Sequence, residues 1–343
     1  MEIKDLIIPI LIFSFYFIFL KKYQFLNDGI SDSEHKNFLE NNHKPILIGG
    51  IYLYTIILLF MNNHSIILKI IFGLIFVLGI LSDKNILPSP KLRLYFQIIL
   101  SFCLVFFGNL KIENLSLEIL NTFLANGLFN ILFTVFCLAV LINGSNFIDG
   151  LNCLLSGYYI LVILSIFFIS FNFNNIDLLQ NEILRLFLFS LMVFFIFNIL
   201  GLVYLGDSGS YLVSAFIGVY LIQLILKNNL LSPYYVALIL WYPAFENLFS
   251  LIRRSFKKKE VSTADNLHLH QLLYLYLKSL KIIDIKKLNS MTGIIILIFN
   301  IPSFLVASFF PFYSINLIIM IMINIFIYLL SYYFFSKHSI DKK

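Results

Sequence analysis

The reactive side chains of this chain fall in a few short polar stretches, and the richest is residues 143–152, N-G-S-N-F-I-D-G-L-N. It lies between the apolar runs 128–142 and 153–171. An ionisable group at the end of a membrane-spanning helix is costly unless it meets water, a partner or a ligand, so Asp149 is a functional candidate. If the stretch is helical, Asn143, Asn146 and Asn152 share a face with Asp149 and surround one negative charge with donors and acceptors. A polar turn between two helices is the plain alternative. The second cluster is G-D-S-G-S at 206–210. Backbone N–H groups and two hydroxyls at a helix start suit an anion. The Asp207 carboxylate suits a hard cation such as Mg2+, which takes one or two carboxylates and completes its shell with water and phosphate oxygens. Capping the next helix is the simpler role for Asp207, although Ser208 and Ser210 are equally able to cap.

Further along, His268 and His270 stand two apart. They share a face in a strand and diverge in a helix, and the spacing is not that of a His-x-x-x-His zinc pair. Donation to phosphate or sugar oxygens fits them better. Arg253 and Arg254, at a helix exit, suit a pyrophosphate, and the lysine run 257–259 suits anionic lipid heads. Simple positive anchoring serves as well for all five.

The elements that must position these groups are membrane helices. The 343 residues are 60% hydrophobic and 12% charged, with 39 Phe and 19 Tyr. Mean hydropathy is +0.93. Repeated apolar runs of about 17–25 residues mean an all-α, polytopic membrane protein. Eleven spans are expected, at 6–20, 45–61, 65–81, 92–108, 126–142, 153–171, 182–200, 210–226, 232–251, 290–309 and 312–335. Cys103, Cys137 and Cys153 all lie in or beside apolar runs, which suggests buried small side chains and no disulfide framework. Nothing suggests a separate soluble domain, so residues 1–343 form one integral membrane unit. Only Lys4 precedes the first apolar run and Lys21-Lys22 follows it, so the start reads as an anchor and not a cleaved signal.

With the amino terminus outside and the carboxyl terminus inside, the cytoplasmic loops are 21–44, 82–93, 143–152, 201–209 and 252–289, plus the tail. They hold nineteen of the 24 Lys and Arg residues, as the positive-inside rule requires. The basic charge therefore argues for orientation and anionic ligands, not nucleic acid. That orientation puts every polar cluster on one side, so carboxylates from three helix ends can share one site with the basic residues and the histidines.

Five motifs, in order, then resemble one family. They are H-K-P-I-L-I-G-G at 43–50, G-I-L-S-D-K at 79–84, the stretch 143–152, G-D-S-G-S at 206–210 and D-N-L-H-L-H-Q at 265–271. Together they resemble the polyprenyl-phosphate N-acetylhexosamine-1-phosphate transferases, the WecA/MraY-like membrane enzymes, over about residues 20–280. The resemblance implies a Mg2+-dependent enzyme, with Mn2+ as a substitute, on the cytoplasmic face of a bacterial inner membrane. It would move a sugar 1-phosphate, GlcNAc or another N-acetylhexosamine, from a UDP-sugar to undecaprenyl phosphate, releasing UMP and starting a cell-envelope glycan. It implies Asp83 and Asp149 as catalytic, Asp207 and Asp149 as metal ligands, and Asn143, Asn146, Asn152, Asn198, Arg253, Arg254, His268 and His270 as substrate-binding. Asp83 would orient the lipid phosphate more than deprotonate it, because that phosphate is largely ionised at neutral pH. The partners implied are the UDP-sugar, the polyprenyl phosphate and the bilayer, and a homodimer is compatible with the sequence.

The chain departs from the family pattern in places. Ser82-Asp83 stands where the family has an aspartate pair, and Gln271 replaces the third histidine. The segment from Asp83 to Ser89-Pro90 is one residue longer, which leaves the roles of Lys91 and Arg93 open. Two other readings compete. One is a non-catalytic relative that binds polyprenyl phosphate or UDP-sugar, supported by Ser82. The other is a membrane transporter, which would need polar groups at mid-membrane depth and broken helices, whereas the charges here sit at helix ends on one face.

Overall fold

A computed structural model describes residues 3–23, 46–61, 65–173, 182–256 and 267–340. His43, Lys44, Pro45, the lysines at 257–259 and Asp265 lie outside the described residues. The architecture is an all-α bundle. In chain order it comprises α1 (Ile3–Tyr23), β1 (Ile46–Leu47), α2 (Gly49–Phe60), α3 (Ile66–Asp83), α4 (Pro90–Phe107), α5 (Glu118–Leu124), α6 (Gly127–Ile148), α7 (Leu154–Asn172), α8 (Glu182–Ile199), β2 (Val203–Tyr204), α9 (Gly206–Lys227), α10 (Pro233–Ile239), α11 (Trp241–Phe256), α12 (Leu269–Leu280), α13 (Ile285–Phe309) and α14 (Ser314–Ile340). The two strands form one short parallel ladder pairing Ile46 with Val203 and Leu47 with Tyr204.

Helix starts follow local chemistry. Ser89 and Ser232 each precede a proline at the first helical position, and their hydroxyls accept from Leu92 N–H and Tyr234 N–H. A Ser N-cap satisfies an orphan donor, and proline has no N–H to lose there. Asn126 caps α6 in the same way.

Among the described residues nine helices are long and apolar enough to cross a membrane, or ten if α10 and α11 count as one span. The expectation of eleven is corrected at two places. The span expected at 45–61 holds only a 12-residue helix, α2, about 18 Å long against a hydrocarbon core of about 30 Å. The single span expected at 232–251 is two helices bent by 73°. Pro243 lies just beyond the break; it cannot donate to Ile239 one turn back, and its ring crowds that carbonyl. Residues 252–289, expected as a loop, also contain the amphipathic helix α12.

α9 is the axis of the bundle: 83% of its span is buried, against 17% for α1 and α14. It packs on α2, α3 and α6. Close packing at its start needs small residues. A side-chain carbon on Gly79 would lie 2.2 Å from Ser208 Cα, and one on Gly50 would lie 2.7 Å from Ser208 Cβ. Gly49-Gly50 is therefore a packing surface for the start of α9. At the other end of the bundle, buried Asp5 of α1 pairs with Arg185 of α8 at 2.9 Å. There too, the Ser232 hydroxyl lies 2.8 Å from that of Ser314, across the Pro311 turn.

Candidate active site

The polar groups of one end of the bundle form a continuous series of contacts. It begins where α3 ends and α9 starts. Asp83, the last residue of α3, accepts from the backbone N–H groups of Asp207 (2.8 Å) and Ser208 (3.1 Å). The anion seat expected at G-D-S-G-S is thus taken by a carboxylate of the chain itself. Asp83 complements the positive end of α9, and it does so from 124 residues away. Gly206 makes room for it. Its φ of +71° is a left-handed conformation, and a Cβ there would meet Asp83 Oδ2 at 2.8 Å. No side chain of its own segment caps α9, so Asp207 is not the cap of its own helix.

Asp207 turns its carboxylate the other way. Its Oδ2 accepts from Ser82 Oγ, from Arg93 Nη1 at 3.0 Å and from the Tyr211 hydroxyl at 3.3 Å. Arg93 also donates to Ser82 Oγ. Where an aspartate pair was the expected pattern, the chain has a serine that donates to Asp207 and an arginine that balances its charge. Asp207 Oδ1 carries none of these bonds, and the side chain is 19% exposed. Among the described residues no group of three or more His, Cys, Asp or Glu side chains could hold a metal ion. A site with one or two carboxylates is how magnesium is bound when phosphate and water complete the shell. The donors present at Asp207 fit that ion and do not fit an all-protein zinc cage.

The next link is α6, which runs as helix through residue 148. The alternative of a polar turn therefore holds only for 149–153. Ser210 donates to Asn146 Oδ1 at 3.0 Å, tying the end of α6 to the start of α9. Asn143 donates to Asn247 Oδ1 at 3.2 Å, tying the same helix to α11. Asp149 is half-buried at the α6 C-terminus, its N–H bonded to Ser145 O. Asn152 does not share this face, because the helix has ended. Its N–H donates to Asn289 Oδ1 at 2.6 Å and its amide to Ser290 Oγ at 3.3 Å, both on α13. Asn198 is likewise turned inward, accepting from Cys153 N–H at 2.6 Å and donating to Val203 O at 2.7 Å. The geometry of these two amides is that of a scaffold that fixes the turn.

The last link is the histidine pair. Gly150, exposed beside Asp149, would place a Cβ 3.3 Å from His270 Nε2, so the α6 turn faces α12. His268 sits just before α12 in extended conformation (φ −74°, ψ 150°), and the two imidazoles stack 5.6 Å apart at 15°. His268 also packs on Phe147 at 4.8 Å. Both face Glu246 of α11, which is only 1% exposed. Arg253 is committed to its surroundings. It donates to Leu267 O and to the Tyr332 hydroxyl at 2.8 Å, and it stacks over Phe249 and Tyr332. Arg254 is buried beside it. Arg253 thereby pins the entry to α12 against α14.

Sequence reasoning overlooked Glu246, Tyr211 and Tyr328 and left the role of Arg93 open. Glu246 carried a signal: it is the sole acidic residue of the apolar run 232–251, and an intramembrane carboxylate is functional or paired by default. The partners of the other three are set by tertiary packing alone.

Helix ends bearing carboxylates, amides and histidines are gathered at one end of an apolar bundle whose long helices are those of a multi-pass membrane protein. Residues 65–225, a little under half of the chain, match the model of glycosyl transferase family 4, and this segment contains the motifs at 79–84, 143–152 and 206–210. One curated relative is the probable undecaprenyl-phosphate N-acetylglucosaminyl 1-phosphate transferase of Bacillus subtilis (strain 168). It is 28% identical over 202 residues, which is 58% of this chain and 55% of the relative. The match thus spans about half the length of that protein.

Proposed function

We propose that the chain transfers a sugar 1-phosphate from a UDP-sugar to a polyprenyl phosphate, and that its bearing end faces the cytoplasm with the amino terminus outside. The observation that carries this reading is the linkage of Asp83, Asp207, Asn146, Asn143, Glu246 and the histidines into one polar belt at one end of the bundle. The match to family 4 and the activity named for the Bacillus relative support it. UDP-GlcNAc is the first donor to test and undecaprenyl phosphate the first acceptor.

A terminal oxygen of the lipid phosphate attacks the sugar-bearing phosphorus of the donor. The bond from that phosphorus to the bridging oxygen breaks, and UMP leaves with the electron pair. Phosphoryl transfer between two anions is governed by positioning and charge neutralisation. Asp207 would hold magnesium, which would supply charge neutralisation for the diphosphate and the leaving UMP. The remaining work belongs to the chain. Asp83 holds the α9 start in place by accepting the Asp207 and Ser208 N–H groups, and Asp207 Oδ1 is left out of the bonds that Oδ2 makes. Arg93, 3.0 Å from the Asp207 carboxylate, is a cation for an incoming phosphate. Asp149 and its turn face His270, and the imidazoles donate to diphosphate or sugar oxygens.

The test is UMP release by the purified protein from a panel of UDP-sugars, with undecaprenyl phosphate, with and without Mg2+. Mg2+-dependent release with one sugar is the expected result. Silence of folded protein across the panel would favour the binding-only relative, which the serine at position 82 keeps in play.

A further inference from the structure

We propose that Glu246 is the positioning residue of the histidine pair. Through Nδ1 it fixes the tautomer and orientation in which His268 turns Nε2 toward the sugar diphosphate, with His270 stacked against that ring. The inference rests on the transferase reading above for its ligand, but not for its geometry.

Glu246 lies on α11, and its carboxylate gathers groups from the two helices packed around it. Oε1 accepts from the Leu269 backbone N–H at 2.8 Å and lies 3.9 Å from His270 Nδ1, beyond hydrogen-bond reach. Oε2 accepts from the Tyr328 hydroxyl of α14 at 2.8 Å and faces His268 Nδ1 at 3.4 Å. A carboxylate is an acceptor only. A ring nitrogen turned toward it must carry the proton, which leaves Nε2 as the atom available for other work. A carboxylate behind a working imidazole sets its tautomer and ring orientation in this way wherever the arrangement occurs. His270 Nε2 does point away from Glu246, toward the Asp149–Gly150 turn.

A structural alternative exists on the same atoms. The start of α12 carries a capping box. In it the His268 N–H donates to Gln271 Oε1 at 3.2 Å, and the His268 side chain faces the Gln271 N–H. Acceptance of that N–H would require Nδ1 to be bare. The two arrangements demand opposite tautomers. The carboxylate prevails on physical grounds. Glu246 is 1% exposed, a buried charge must be met by donors, and a charge-assisted bond is about twice as strong as a neutral one. Glu246 as a mere cap of α12 would act on the Leu269 N–H alone and would leave the imidazole protons indifferent to it.

The experiment labels the six histidines with 15N in detergent-solubilised full-length protein. The two ring signals are assigned with His268→Gln and His270→Gln. The expected result is Nδ1–H for His268 in the wild type, and loss of that pattern in Glu246→Gln. Nε2–H for His268 in the wild type, or an unchanged tautomer in Glu246→Gln, overturns the inference. In the UMP-release assay, Glu246→Gln lowers kcat/KM at least tenfold, and the double variant with His268→Gln is no worse than His268→Gln alone. Additive losses would mark a separate, structural role and also overturn it. If Glu246→Gln is not monodisperse, Tyr328→Phe carries the test. That variant removes one donor from the carboxylate, shifts the His268 Nδ1 signal and lowers kcat/KM severalfold; an unmoved signal counts against the proposal. A wild type that releases no UMP defeats the transferase reading, while the tautomer measurement still decides the role of Glu246.

Discussion

Asp83 and Asp207 stand back to back: the carboxylate of the first accepts the backbone N–H of the second at 2.8 Å, while the carboxylate of the second turns away to Ser82, Arg93 and Tyr211. Two aspartates at one helix start thus have separate tasks. One neutralises the positive end of α9, and the other is presented on a base that the first has fixed.

Asp83→Asn leaves one of two buried backbone donors without an acceptor. A loss of about 1–3 kcal/mol is expected, read as a lower Tm in detergent together with reduced UMP release. A variant with unchanged Tm would mean that the cap is dispensable.

Asp207→Asn is expected to abolish turnover while the protein remains folded and membrane-inserted. The same variant should lose Mg2+ binding measured by titration. Near-normal activity would remove Asp207 from the metal site.

Ser82→Asp adds a carboxylate beside Asp207 and opposite Arg93. Added negative charge should lower the Mg2+ concentration that gives half-maximal UMP release. An unaltered Mg2+ dependence would show that Ser82 does not tune the site.

Asn198→Ala separates scaffold from substrate contact. With both amide atoms committed to Cys153 N–H and Val203 O, the variant should lose Tm by several degrees and keep its KM for the sugar nucleotide. A raised KM at unchanged Tm would put Asn198 in contact with the donor.

Gly79→Val should not yield monodisperse protein. Its Cβ would fall 2.2 Å from Ser208 Cα, a backbone atom that cannot step aside without moving α9. Recovery of active protein at wild-type yield would contradict the close packing of α3 on α9.

Much of the fold was legible in the sequence because membrane-spanning length is a strong signal. The spans expected at 65–81 and 153–171 are helices Ile66–Asp83 and Leu154–Asn172. The break before Trp241 was not legible, because a proline in a membrane helix is often accommodated without one. Of the site, the motif residues Asp83, Asn143, Asn146, Asp149, Asp207, His268 and His270 were legible as polar groups at apolar helix ends. Their partners were not. Asp83 meets α9, Asn146 meets Ser210 and Glu246 meets Tyr328 only through packing between helices distant in sequence. The scaffold bonds of Asn152 and Asn198 were hidden for the same reason, since an amide reads alike whether it faces a ligand or a backbone.

The burial of α9 also bears on how the molecule is made. α2, α3 and α6 all leave the ribosome before α9, and they form the walls against which it is packed. A helix with 83% of its span covered by protein has little reason to dwell among lipids. Because α9 brings Gly206, Asp207 and Ser210 with it, Asp83, Ser82 and Asn146 have no partners there until it is made, and Glu246, His268 and His270 come later still, so a nascent chain halted before α9 would insert without a site.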